Sequence, residues 1–227
     1  MRIGLHFTNK ANNFASQSAF MTNNQPLNDL AQIRAIMERS TRFLSLSAWA
    51  AIMAGVYALA GAAIAWRMVY FSSTIRYQAL TENVLSAAAL PLFATAAAVL
   101  LLSAGTGLWL SYRKAQRAGQ ALWNQAAMRT AINFAIPMLA GGAFVLILYA
   151  RGYYSLIAAS MLIFYGLALL NAGNFTFSDI RKLGMWEVGI GLLAALLPNN
   201  GLLFWSLGFG LLHIIYGVIL YYKYEKT

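Results

Sequence analysis

Two ionisable side chains interrupt the long apolar stretches of this chain, His213 and Glu187. Ionisable groups inside hydrocarbon are costly and commonly serve a function. A buried histidine can relay protons, ligate haem or hold a ligand; equally, it can sit as a neutral ring bonded to a neighbouring hydroxyl or backbone carbonyl. Glu187 falls two residues into the fifth apolar stretch, where an acid in a first helical turn is favoured by the macrodipole. Counted along their helices, the two differ in depth by roughly five residues, about 8 Å at a rise of 1.5 Å per residue. That spacing forbids a direct bond unless the fifth stretch tilts or is re-entrant. Tyr216 follows His213 by one turn, Tyr165 lies in the fourth stretch, and Asn171 and Asn174 close that stretch. His213, Glu187, Tyr216, Asn171, Asn174 and Tyr165 form the candidate polar site, with Asn171, Asn174 and Glu187 expected together at one face.

Several chemistries lack their residues. Retinal binding needs a lysine within a helix, and every lysine here flanks an apolar stretch. Metalloprotease chemistry needs a His-Glu-x-x-His pair, and there is none. The second histidine, His6, stands in a polar N-terminal arm, which argues against paired haem ligation. No glycine-rich phosphate loop precedes a helix, and a charged conduction path would need several lining acids or bases. With no cysteine, thiolate metal sites and disulfides are excluded. No catalytic residue, metal or cofactor is expected.

The elements that must position these groups are spanning helices. The chain has 227 residues, 60% hydrophobic and 10% charged, with a net charge of +10. A soluble domain carries about a quarter charged residues, so lipid must solvate most of this one. Apolar segments run over residues 43–66, 84–111, 130–150, 153–170, 185–197 and 202–222. A spanning helix needs about 20 residues; the fifth segment, at about 13, is marginal against that length, and crosses thinned bilayer or pairs as a hairpin with the sixth. Arg2, Lys10, Arg34, Arg39, Arg42, Arg113, Lys114, Arg117, Arg129, Arg181, Lys182, Lys223 and Lys226 fall on alternate loops and the two ends, against Arg67, Arg76 and Arg151 on the opposite side. The positive-inside rule then gives six spans with both termini cytoplasmic. Trp66, Tyr70, Trp109 and Tyr112 sit at span ends, as interfacial anchors do. The expected fold class is an all-α, polytopic transmembrane bundle of six spans in an inner membrane.

Residues 1–26 read as a disordered or weakly ordered arm, rich in Asn, Ser, Thr and Gln. Met21 offers a second start, and residues 1–20 are expected to come from an upstream one. Residues 27–42 place Leu27, Leu30, Ile33, Ile36 and Met37 at helical spacing, an amphipathic interfacial helix that lies on the inner leaflet or docks a partner. Arg34, Arg39, Arg42, Arg113, Lys114 and Arg117 form the basic set facing anionic headgroups; residues 223–227 are a short basic tail. The excess of positive charge needs no nucleic acid to explain it. A cytoplasmic or membrane protein partner and a homo-oligomer are both compatible with the inner-face elements.

Small residues recur through the spans, among them Ala50, Ala54, Ala58, Gly189, Gly191, Gly208 and Gly217, and predict close helix contacts. Pro137 is expected to kink the third span and Pro91 the second, less strongly. Phe164-Tyr165-Gly166 and Ile215-Tyr216-Gly217 make a faint repeat. The stretches Met37-Glu38-Arg39-Ser40-Thr41-Arg42, Leu183-Gly184-Met185-Trp186-Glu187 and Leu202-Leu203-Phe204-Trp205-Ser206 resemble an uncharacterised family of small bacterial six-span membrane proteins. That resemblance covers residues 27–226 and implies a bacterial inner membrane, but no activity. The sequence therefore points first to a non-enzymatic sensory, assembly or partner-coupling role. The alternative is a small transporter or ligand-binding channel with a polar pocket near His213 and Glu187.

Overall fold

The computed structural model describes residues 46–71, 84–119, 123–197 and 200–226, all within the unit Arg42–Thr227. The expected arm, the amphipathic helix over 27–42 and its Arg34, Arg39 and Arg42 lie outside them. The described chain is all helical: α1 Ala48–Phe71, α2 Val84–Arg117, α3 Gln125–Ala150, α4 Ile157–Ala172, α5 Ser178–Leu196 and α6 Gly201–Tyr224. A short 3-10 turn, Tyr154–Leu156, leads into α4. All but α5 are long and apolar enough to cross a membrane. The outward side chains of the bundle are as apolar as its core: Leu101, Leu139 and Leu196 are 72%, 74% and 76% exposed. Water would not tolerate that surface, whereas lipid tails solvate it at no cost.

The helices form two lobes. In one, α1 packs antiparallel on both α2 and α6; in the other, α4 packs antiparallel on both α3 and α5. Glycines set the closest approaches, because nothing larger lets two backbones meet. A Cβ on Gly166 would stand 2.7 Å from the Gly184 carbonyl, and one on Gly184 2.7 Å from the Gly166 carbonyl. A Cβ on Gly217 would stand 2.7 Å from the Ile52 backbone nitrogen. The two glycines of the faint Tyr-Gly repeat thus do the same work in the two lobes. Gly166→Ala is expected to force α4 and α5 apart and cost about 1–3 kcal/mol, measurable as a shifted midpoint in an SDS unfolding titration.

Two expectations are corrected here. The fifth helix has 19 residues, because it begins at Ser178 and carries Asp179, Arg181 and Lys182 in its first turns. Apolar runs alone undercount it. It lies alongside α4 from Gly173 beside Arg181 to Ala159 beside Gly191, pairing with the fourth helix. Second, α2 has 34 residues, about 51 Å at 1.5 Å each, and so outruns a hydrocarbon core of about 30 Å. Pro91 and Pro137 both lie within continuous helices, so neither proline ends its helix.

One end of the bundle gathers the charges. Lys114 of α2 donates to the Leu46 carbonyl at 2.8 Å and to Glu225 Oε1 at 2.7 Å. The same Glu225 oxygen accepts from the Ala48 amide at 3.0 Å, satisfying a free N–H at the start of α1. Beside it, Lys223 and Tyr224 donate to Asp179 Oδ2 at 2.6 and 2.9 Å, and Lys182 lies 3.4 Å from Oδ1. The C-terminal end of α6 is therefore tied to α1, α2 and α5, which fixes the register of the helix that carries His213. Each such bond is worth little alone where it is half exposed; together they set one position.

Candidate functional site

The middle of α6 departs from α-helical geometry. Ser206–Leu212 is π-helical, flanked by α-helical turns. Glycine is a poor helix former, and Gly208 and Gly210 both fall inside this stretch. The wider turn brings the Gly208 carbonyl to the imidazole five residues on, with His213 Nδ1 at 3.1 Å. π-Helical turns frequently mark functional sites.

Three side chains meet around that ring. Tyr165 of α4 places its hydroxyl 2.8 Å from His213 Nε2. Glu187 of α5 places Oε1 3.3 Å from His213 Nδ1. The depth argument against a direct contact is overturned, because α5 starts earlier than its apolar run and Glu187 becomes its tenth residue rather than its third. The acid that occupies the first turn of α5 is Asp179. His213 makes both of the ordinary bonds expected of a buried ring, to a hydroxyl and to a carbonyl, and adds a carboxyl contact to them. This Tyr–His–Glu line staples the two lobes, since Tyr165 and Glu187 belong to one and His213 to the other.

Glu187 is 0% exposed, and no hydrogen bond reaches either carboxyl oxygen. It packs against the bare backbone of Gly208, where a Cβ would stand 2.6 Å from Oε2. A carboxylate so enclosed, with no counter-charge, costs several kcal/mol. The basic group it touches is His213. Because the Gly208 carbonyl can only accept, Nδ1 carries a proton, and the carboxylate faces that same N–H.

A cavity of about 290 Å³ opens from the other side of the ring. It is walled by Ala58 of α1, Leu100 of α2, Gly142 of α3, Phe164 of α4 and Phe209 of α6, among others. Of its lining side chains only Ser103, Tyr165, Trp205 and His213 bear a hydrogen-bonding nitrogen or oxygen. It lies between the two lobes, next to the seam where α2 and α3, although consecutive, pack little on each other.

The other candidates do not join this site. Tyr216 packs one turn further along α6, in the cluster of Leu183, Leu220 and Ala48. Asn171 and Asn174 are exposed at the end of α4, away from Glu187, which lies at mid-helix. Arg113 and Arg117 are exposed at the end of α2, the guanidinium of Arg113 lying 4.9 Å over the Trp109 ring, whereas Lys114 is turned inward to Glu225. Gly208 and Ser103 are site residues that sequence reasoning passed over as packing, and Trp205 is one it noted only within a stretch of family resemblance; two glycines within five residues before a lone intramembrane histidine were the available signal. Among the described residues no cluster of three or more His, Cys, Asp or Glu could hold a metal. Comparisons with protein-family models, curated proteins and solved structures give no match. Function is read from the geometry alone.

Proposed function

We propose that this is a non-enzymatic, multi-pass inner-membrane protein that binds a lipid-soluble small molecule between its two lobes. The observation that carries the reading is the cavity itself, apolar on nearly every wall and ending on Tyr165 and His213, with Glu187 buried behind them. A structural histidine needs no such void beside it, and ligand sites are typically apolar hollows with a few convergent polar groups. In this reading α5 also crosses, packed on α4, as the fifth of six spans, and the charged end of the bundle faces the cytoplasm, in keeping with the positive-inside rule. The reading favours the ligand-binding alternative over partner coupling, whose main support lies in residues 27–42. Ligand occupancy between the lobes would couple to their relative position, which suits a sensor or a transporter.

Gly142 supplies the test, because nothing lies within 4 Å of where its Cβ would be. Gly142→Leu is expected to intrude on the cavity without overpacking and not to lower the unfolding midpoint, leucine being the better helix former by about 1 kcal/mol. Bromonaphthalene should quench Trp205, which lines the same space, in a saturable manner in the wild type and not in Gly142→Leu. Equal saturable quenching in both proteins rules the reading out.

A further inference from the structure

We propose that the cavity selects a compact, ring-bearing ligand that presents a hydrogen-bond acceptor, a carbonyl or ether oxygen, to the Tyr165 hydroxyl, and that it admits this ligand sideways from the bilayer through the seam between α2 and α3. The inference rests on the ligand-binding reading above and adds the ligand's chemistry and its route.

Size comes first. An engineered apolar cavity of about 150 Å³ holds benzene, so a space of about 290 Å³ accommodates roughly two fused rings. The walls suit flat rings, since Phe164, Phe209 and Trp205 line the space together with the bare backbone of Gly142. Polarity follows from the hydrogen-bond accounting. Glu187 has no bonded donor and no exposure, and the contact that offsets its burial is the His213 ring, Nδ1 standing 3.3 Å from Oε1, an attraction that operates only when the pair is ionised. An anionic Glu187 against an imidazolium leaves the pair neutral, with Nδ1–H facing the Gly208 carbonyl and Glu187 Oε1. The second ring proton is then on Nε2, which donates to the Tyr165 oxygen at 2.8 Å. With its oxygen engaged, Tyr165 has its own O–H left to give, and the cavity is the space it borders. A ligand donor would meet a hydroxyl whose accepting side is already taken, whereas a ligand acceptor completes the line. The route follows from packing. Each of α2 and α3 is held by its own lobe partner, and few contacts hold them to each other; the aromatic contact between Phe93 and Tyr149, at 6.0 Å, spans them near one end.

Three bicyclic probes of nearly equal shape, 1-tetralone, tetralin and 1-aminotetralin, and a bulkier 1-tetralone carrying a tert-butyl group test this on the purified full chain. Tetralone is expected to bind about 5- to 10-fold more tightly than tetralin, the worth of one net hydrogen bond. Its carbonyl stretch should shift to lower frequency when bound. Tyr165→Phe should abolish both the preference and the shift while retaining tetralin binding, and Gly142→Leu should abolish binding of both probes. The bulky ketone should not bind. Equal affinity for tetralone and tetralin, or tighter binding of the amine, overturns the acceptor inference while leaving the cavity reading intact. Failure of every probe to bind overturns both. For the route, a reducible bis-maleimide bridge between Phe93→Cys in α2 and Tyr149→Cys in α3, whose native rings meet across the seam at 6.0 Å, should slow tetralone entry at least tenfold and release it on reduction; unchanged entry overturns the sideways route.

Discussion

His213→Leu is expected to destabilise the protein by about 3–5 kcal/mol, the cost of stranding a buried charge whose partner has been removed. Glu187 is fully enclosed, and the imidazole is the basic group in contact with it. Leucine would leave the carboxyl beside the Gly208 backbone with nothing to neutralise it. The decisive comparison is the pair. Glu187→Leu together with His213→Leu removes both charges at once, and replacement of a buried pair by apolar residues is often neutral or stabilising. The double variant should therefore recover most of the loss of His213→Leu, which a double-mutant cycle in SDS unfolding would record as a coupling of about 2–3 kcal/mol, at the upper end seen for contacting residues. Additive losses would mean that the two side chains are independent, and the account of the site would fall with them. The double variant should also lose the ligand preference assigned to Tyr165, even where its stability is restored.

Gly208→Ala tests the same site from its backbone side. A Cβ there would stand 2.4 Å from Leu162 Cδ2 and 2.6 Å from Glu187 Oε2. Leu162 is 0% exposed and Glu187 is equally enclosed, so neither has room to withdraw. Overpacking of this kind costs about 1–3 kcal/mol. The methyl group also pushes the carboxyl away from the imidazole, so the expected loss lies at the upper end of that range and is accompanied by weakened ligand binding. Gly105→Ala in α2, where a Cβ meets nothing within 4 Å, is the matched control and should leave both properties unchanged. If the two alanine variants behave alike in an unfolding titration, the close packing of Glu187 on Gly208 is not what holds the site.

Much of this fold was legible before any coordinate. Apolar runs of about 20 residues can be little other than helices in lipid, and five of the six segments read from composition became long apolar helices with ends shifted by a few residues. The small-residue stripes were legible for the same reason, since lipid offers no hydrophobic drive and only close backbone approach remains to hold helices together. The sequence also singled out His213 and Glu187, because a charge in an apolar run is visible by contrast. It misjudged their separation. Depth was counted from the edge of an apolar run, but α5 begins seven residues before that edge, at Ser178 rather than at 185, in polar turns whose Asp179 is matched by Lys182, Lys223 and Tyr224 from inside the fold.

What the sequence by itself determined is the solvent, the helical class and the short roster of polar groups, because those depend on residue type and local run length. What only the tertiary structure decided is which of those groups meet. Tyr165 joined His213 and Tyr216 did not; Asn171 and Asn174 stayed outside; Gly208, one of eighteen glycines, became the floor under Glu187. The void between the lobes also belongs to that level, for it arises where α2 and α3 fail to pack. Each of these outcomes depends on rotation and register between helices distant in sequence, which are set by glycine crossings and by the charged ties of α6 rather than by any local pattern.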